Sequence, residues 1–182
     1  GTAYCWGNNS AGQLGDESYT NRNSPVAVQN LPSGLLQITS NCAILPGNAL
    51  RCWGRNEWGQ VGDTTTTNRT SAVDVDGLSS GVEQVSGYNN HTCALLDTGG
   101  LKCWGRNEFG QLGIGSFTNQ SSPQDVPSLT SGVAYVRVGN NDTCAILDSG
   151  ALMCWGLNDN GQLADGTTTN REEPVAIDGL CD

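Results

Sequence analysis

The chain has 182 residues, a net charge of −10 and 8 Lys and Arg in all. That balance lacks the clustered cations that nucleic acid requires, and no apolar run approaches the roughly 18 residues of a membrane span. With 25 Gly and 14% charged residues, the composition predicts a turn-rich β protein.

The first stretch, residues 1–31, opens Gly1-Thr2-Ala3-Tyr4 without an initiator Met, which reads as a processed product or a fragment. It continues "YCWGNNSAGQLG", and this pattern returns in "LRCWGRNEWGQVG", "LKCWGRNEFGQLG" and "LMCWGLNDNGQLA". Trp6, Trp53, Trp104 and Trp155 each follow a Cys and precede a Gly, with spacings of 47, 51 and 51 residues. Gln13, Gln60, Gln111 and Gln162 recur behind them, then Asn21, Asn68, Asn119 and Asn170, then Leu31, Leu78, Leu129 and Leu180. The shorter first period comes from four residues missing between Leu31 and Cys42, a shortened surface turn.

The three full repeats are 32–78, 79–129 and 130–180. Each reads as four short strands bounded by Gly, Asp, Asn and Pro. In the second full repeat these begin with "GVEQVS" (81–86), anchored on Val82 and Val85, and continue with "TCALL" and "LKCWG" across the turn "DTGG". The fourth strand is "SAVDVDGL" (71–78), or "EPVAIDGL" (173–180) in the last copy. A period near 50 with four strands predicts an all-β fold, a β-propeller of four-stranded blades. A β-solenoid is the alternative. Residues 1–31 then supply the third and fourth strands of an opening blade, giving about three and a half blades as part of a seven-bladed or assembled ring. An open ring leaves apolar faces and strand edges in water, so the partner expected is a further copy of the chain or the remainder of a larger propeller.

Six of the eight Cys fall in pairs ten residues apart across the predicted hairpins. Opposed, non-hydrogen-bonded residues of antiparallel strands have Cα atoms roughly 4.5 Å apart, within disulfide reach. The expected bridges are Cys42–Cys52, Cys93–Cys103 and Cys144–Cys154, which point to an oxidising compartment and a secreted or cell-surface protein. Zinc is a poorer reading, with no C-x-x-C and one His. Cys5 and Cys181 remain, to be joined within the chain or between chains.

"HTCALLDTGGLKCWGRNEFGQLG" followed by "TNQSSPQDV" resembles the regulator-of-chromosome-condensation repeat, in its secreted, disulfide-bearing bacterial form. The resemblance covers nearly the whole chain and implies a seven-bladed propeller. The eukaryotic namesake exchanges nucleotide on a small GTPase and binds chromatin. Bacterial relatives include an inhibitor of β-lactamases, and many others are extracellular binding modules. The acidity and disulfides of this chain depart from the nuclear pattern, and fold alone licenses no activity.

No residue is assigned to catalysis, to a cofactor or to a metal. His91 lacks a nucleophile context and reads as a turn residue. Asn9, Asn56, Asn107 and Asn158, with the recurring Gln, read as turn architecture. Asp-Gly-Thr runs such as "ADGTTT" lack the carboxylate density of a calcium loop. The positions that vary between repeats are more informative. Five residues after each Trp stand Ala11, Trp58, Phe109 and Asn160, and thirteen after it Tyr19, Thr66, Phe117 and Thr168. Trp58 and Phe109, with Tyr19 and Phe117, are candidate contact residues. Local packing against the next blade is the competing reading. The expectation is a secreted, non-enzymatic propeller working by protein–protein contact, with self-assembly favoured. A piece of a larger partner-binding or inhibitory propeller is the alternative, and lectin-like sugar binding a third.

Overall fold

A computed structural model describes residues 1–177; the expectations for Leu180 and Cys181 lie outside the described residues. Strands β1 (Tyr4–Gly7) and β2 (Arg22–Ala27) form a two-stranded sheet. Three four-stranded antiparallel sheets follow, each running in chain order. They are β3 (Gln37–Ile38), β4 (Cys42–Ile44), β5 (Leu50–Gly54) and β6 (Arg69–Asp74); β7 (Val82–Tyr88), β8 (His91–Leu96), β9 (Leu101–Gly105) and β10 (Gln120–Asp125); and β11 (Val133–Val138), β12 (Asp142–Leu147), β13 (Leu152–Gly156) and β14 (Arg171–Ala176). Such a series of meander sheets is a partial propeller, not a solenoid. The two-residue β3 stands where the sequence lacks four residues.

Within each hairpin the predicted cysteines are directly opposed. Disulfides join Cys42 to Cys52, Cys93 to Cys103 and Cys144 to Cys154, with Cα atoms 4.0, 4.1 and 4.1 Å apart. Among the described residues no helix is long and apolar enough to cross a membrane.

The fourth strands start earlier than the apolar pattern indicates. β6 runs Arg69–Asp74, because the ladder shifts register between Cys52 and Gly54 and pairs Gly54 with Arg69. The same bulge recurs at Gly105, whose φ is +107° and where a Cβ would lie 2.6 Å from the Asn90 carbonyl oxygen. Only glycine fits there. The "VDGL" tail then curls back, with Leu50 N–H donating to the Leu78 carbonyl at 2.9 Å.

The core lies between blades more than within them. Trp53, Trp104 and Trp155 are wholly buried. Each packs on the preceding sheet and donates its indole N–H to a carbonyl there, of Gln13 (3.1 Å), Gln60 (3.0 Å) and Gln111 (3.0 Å). Trp104 shares a cluster with Ile44, Leu50, Val61 and Val75 of the sheet before it. Trp6, with no preceding sheet among the described residues, is 64% exposed.

His91 departs from its turn assignment. It begins β8, is 1% exposed and meets the Thr143 hydroxyl of the next sheet at 2.8 Å through Nε2. Burial pulls its pKa down from 6.5 to about 3, so the folded protein holds it neutral. The unfolded chain takes up this proton below about pH 6.5 and the folded chain does not until about pH 3. Stability is therefore fully present above pH 6.5 and drains as pH falls towards 3. Urea unfolding between pH 7 and 4 is expected to show a slope that His91→Asn flattens. Parallel curves for the two proteins would refute a buried neutral imidazole.

Candidate functional site

The loop between the third and fourth strands of each sheet is built on one buried asparagine. Asn56 is 0% exposed. Its Oδ1 accepts from Val61 N–H (2.9 Å), and its Nδ2 donates to Asp63 Oδ1 (3.1 Å) and to the carbonyls of Thr65 and Thr67 (3.0 Å each). Its own N–H donates to Asn68 Oδ1 at 2.8 Å. Asn9, Asn107 and Asn158 repeat the central bonds. The turn reading of these asparagines is thus refined. They hold the loop by side-chain bonds, while positive φ falls on other positions such as Thr64 and Ala164. Gln60 and Gln111 cap the loop tips, accepting from Trp58 and Phe109 N–H at 3.0 Å each.

The acidic runs are committed to the same loops. Asp16 pairs with Arg22, Asp63 with Arg69 and Asp165 with Arg171. In the remaining loop both partners change together, to Ile114 and Gln120. The Thr167 hydroxyl, followed by the Arg171 guanidinium, holds the Asp165 carboxyl well below the usual carboxylate range. These carboxylates act as loop braces.

On this frame Trp58 and Phe109 come together through a residue the sequence reading passed over. The Arg106 guanidinium carbon lies 5.2 Å from both ring centroids. Glu108 anchors Arg106 from behind, accepting from its Nε at 2.9 Å. The result is a ridge of ring, guanidinium and ring spanning two neighbouring blades, with both rings half-buried. Each cation–π contact contributes about 0.5–1 kcal/mol at such a site, a modest bias towards the stacked arrangement. A signal for Arg106 exists in the sequence. The two repeats with an aromatic five residues after the Trp are also those with Arg at two (Arg55, Arg106) and Glu at four (Glu57, Glu108). The other two carry Asn8 with Ser10 and Leu157 with Asp159.

A polar hollow of about 450 Å³ is lined by Ser10, Ala11, Gln13, Arg55, Glu57 and Asn89 among others, and by none of Trp58, Arg106 and Phe109. Tyr19 and Phe117 are 57% and 50% exposed but stand outside the Arg106 stack. Cys5 is half-buried and, among the described residues, outside the disulfides; burial raises its thiol pKa.

Residues 1–42 and 99–146, and residues 82–111 and 133–162, match two family descriptions that both read regulator of chromosome condensation (RCC1) repeat. The human probable E3 ubiquitin-protein ligase HERC3 is 41% identical over 95 residues, which is 51% of this chain and 9% of that protein. The ultraviolet-B receptor UVR8 of Arabidopsis thaliana is 38% identical over 98 residues, 53% of this chain and 22% of that protein. The matched segments are thus a small part of these relatives. Yeast RCC1 (Prp20), solved bound to Kap60, superposes with a TM-score of 0.79 at 20% identity, covering 99% of this chain and 45% of that one.

Proposed function

Because the chain belongs to the regulator of chromosome condensation (RCC1) repeat family, we propose that it is a non-enzymatic binding propeller that meets a protein partner through the Trp58–Arg106–Phe109 ridge. The observation that carries this is the guanidinium held between two rings on adjacent blades. Interface hot spots are enriched in Trp, Tyr and Arg, and rigid aromatics lose little entropy on binding. A repeat position that served the architecture alone would hold one residue type in all copies, as the buried Asn does. The three disulfides favour an oxidising setting and hence secretion.

The test uses the immobilised chain against the secreted proteins of the source organism, with bound partners quantified by mass. Trp58→Ala and Phe109→Ala are each expected to weaken a partner held by the parent chain about 30-fold, the equivalent of about 2 kcal/mol. Folding stability should shift by only about 1–2 kcal/mol, the loss of one cation–π contact and of a half-buried ring. A partner set unchanged in both variants would remove the ridge as the contact.

A second contact is supported by Trp6, exposed where its three counterparts are wholly buried. The open half blade acts as a docking edge for a blade of the same kind. A second copy of the chain, which is self-assembly, and a further repeat are the two sources of such a blade.

A further inference from the structure

We infer that Trp6 docks on a repeat blade carrying glycine at one acceptor position, and that this chain's own last blade is not that blade. The inference rests on the docking edge just described and says which partner it takes.

Each internal junction seats its tryptophan against a glycine nine residues after the preceding tryptophan. Gly15, Gly62 and Gly113 receive Trp53, Trp104 and Trp155 in turn. A Cβ at Gly62 would lie 2.5 Å from Trp104 Nε1, and at Gly113 2.6 Å from Trp155 Nε1. At Gly15 it would lie 3.1 Å from Trp53 Cδ1. No real side chain approaches an indole at the two shorter distances, and each ring is held in place by its N–H bond to the Gln60 or Gln111 carbonyl. The fourth member of this series is Ala164. It keeps the same left-handed backbone, with φ of +57°, so its methyl points where an incoming indole has to lie.

A second observation on the same face is independent of the first. Gln37 and Gln84 clasp the first strand of the following blade by the N–H and carbonyl of a single residue. Gln37 Nε2 donates to the Val85 carbonyl and its Oε1 accepts from Val85 N–H, both at 2.9 Å. Gln84 does the same to Val136, at 3.1 Å each way. Ser86 Oγ adds a bond from Val138 N–H at 3.0 Å. In the last blade the glutamine position holds Tyr135, 45% exposed, and the serine position holds Arg137. A phenol does not reproduce the two-point amide clasp. The last blade has therefore lost both the cradle for a tryptophan and the clasp for a first strand; the opening half blade carries no first strand among the described residues, so for Trp6 only the cradle counts. The two open faces are not mates, and head-to-tail stacking of identical chains is disfavoured.

Sedimentation velocity from about 1 μM to 1 mM decides this, on the parent chain, Ala164→Gly, and Ala164→Gly with Trp6→Ala. The parent is expected to stay at its 19.0 kDa mass. Ala164→Gly should associate at least tenfold more tightly, and Trp6→Ala should abolish that gain. A parent that self-associates through Trp6 as tightly as Ala164→Gly overturns the inference but leaves the docking edge standing. An Ala164→Gly chain that gains nothing, or gains association that Trp6→Ala does not touch, overturns the inference and the docking edge together.

Discussion

Trp104→Ala is expected to lower the unfolding free energy by about 3–5 kcal/mol, the range for deleting a large aromatic from a packed core. The indole is 0% exposed and fills the seam between two sheets, against Ile44, Leu50, Val61, Val82 and Val85. Its lost hydrogen bond contributes less than the cavity. The Gln60 carbonyl that receives the indole N–H also accepts from the Thr92 hydroxyl at 2.9 Å, so it is not orphaned. Because each blade touches only its neighbours, stability is a sum of blade and junction contributions. Breaking one junction should then uncouple the array, visible as a shallower denaturant transition as well as an earlier midpoint. Trp6→Ala is the internal control: the same residue type in the same repeat position, but 64% exposed, with an expected loss below about 1 kcal/mol. Equal losses for the two variants would show that the seams do not carry the fold.

The second large effect is reduction of the three disulfides. Each closes a loop of about eleven residues and contributes about 2–3 kcal/mol by loop entropy. The bridges sit in separate blades, so their contributions add to about 6–9 kcal/mol, comparable with the whole stability of a typical domain. The fully reduced and alkylated chain is expected to be largely unfolded at neutral pH. In the native state reduction should be slow and ordered. Cys93 and Cys103 are 0% exposed, and Cys42 and Cys52 are 2% and 1% exposed, whereas Cys144 is half-buried. Timed alkylation with peptide mapping should find Cys144–Cys154 opening first. Rapid reduction of all three with no change in the unfolding midpoint would contradict the assignment of stability to these rivets.

The disulfides also show what kind of statement a sequence supports. Counting from Cys93 and Cys103 to the turn between them sets which residues face each other, because a tight hairpin leaves one register. The strands were legible for the same reason, since β-branched runs between Gly and Asn clusters are local signals. The fourth strand's start was not, because it depends on a bulge at Gly54 and Gly105 that brings another loop's backbone against the glycine. His91 looked like a turn residue from its neighbours alone. Its burial comes from Thr143, in the next sheet. Arg106 was overlooked because its partners Trp58 and Phe109 lie in two different repeats. Only comparing which positions change together exposes such a pair.

Sequence by itself determined the unit: a fifty-residue blade of four strands, its hairpin pairing, its sulfur bridges and the count of three and a half. Those follow from contacts between residues close along the chain, where spacing dictates meeting. Tertiary structure alone decided that the tryptophans belong to the seams, that an arginine joins two aromatic rings, and that Gly62 and Gly113 leave room for the indoles of Trp104 and Trp155. Those contacts join residues about forty to fifty positions apart, and a repeat states its own period without stating which copy faces which.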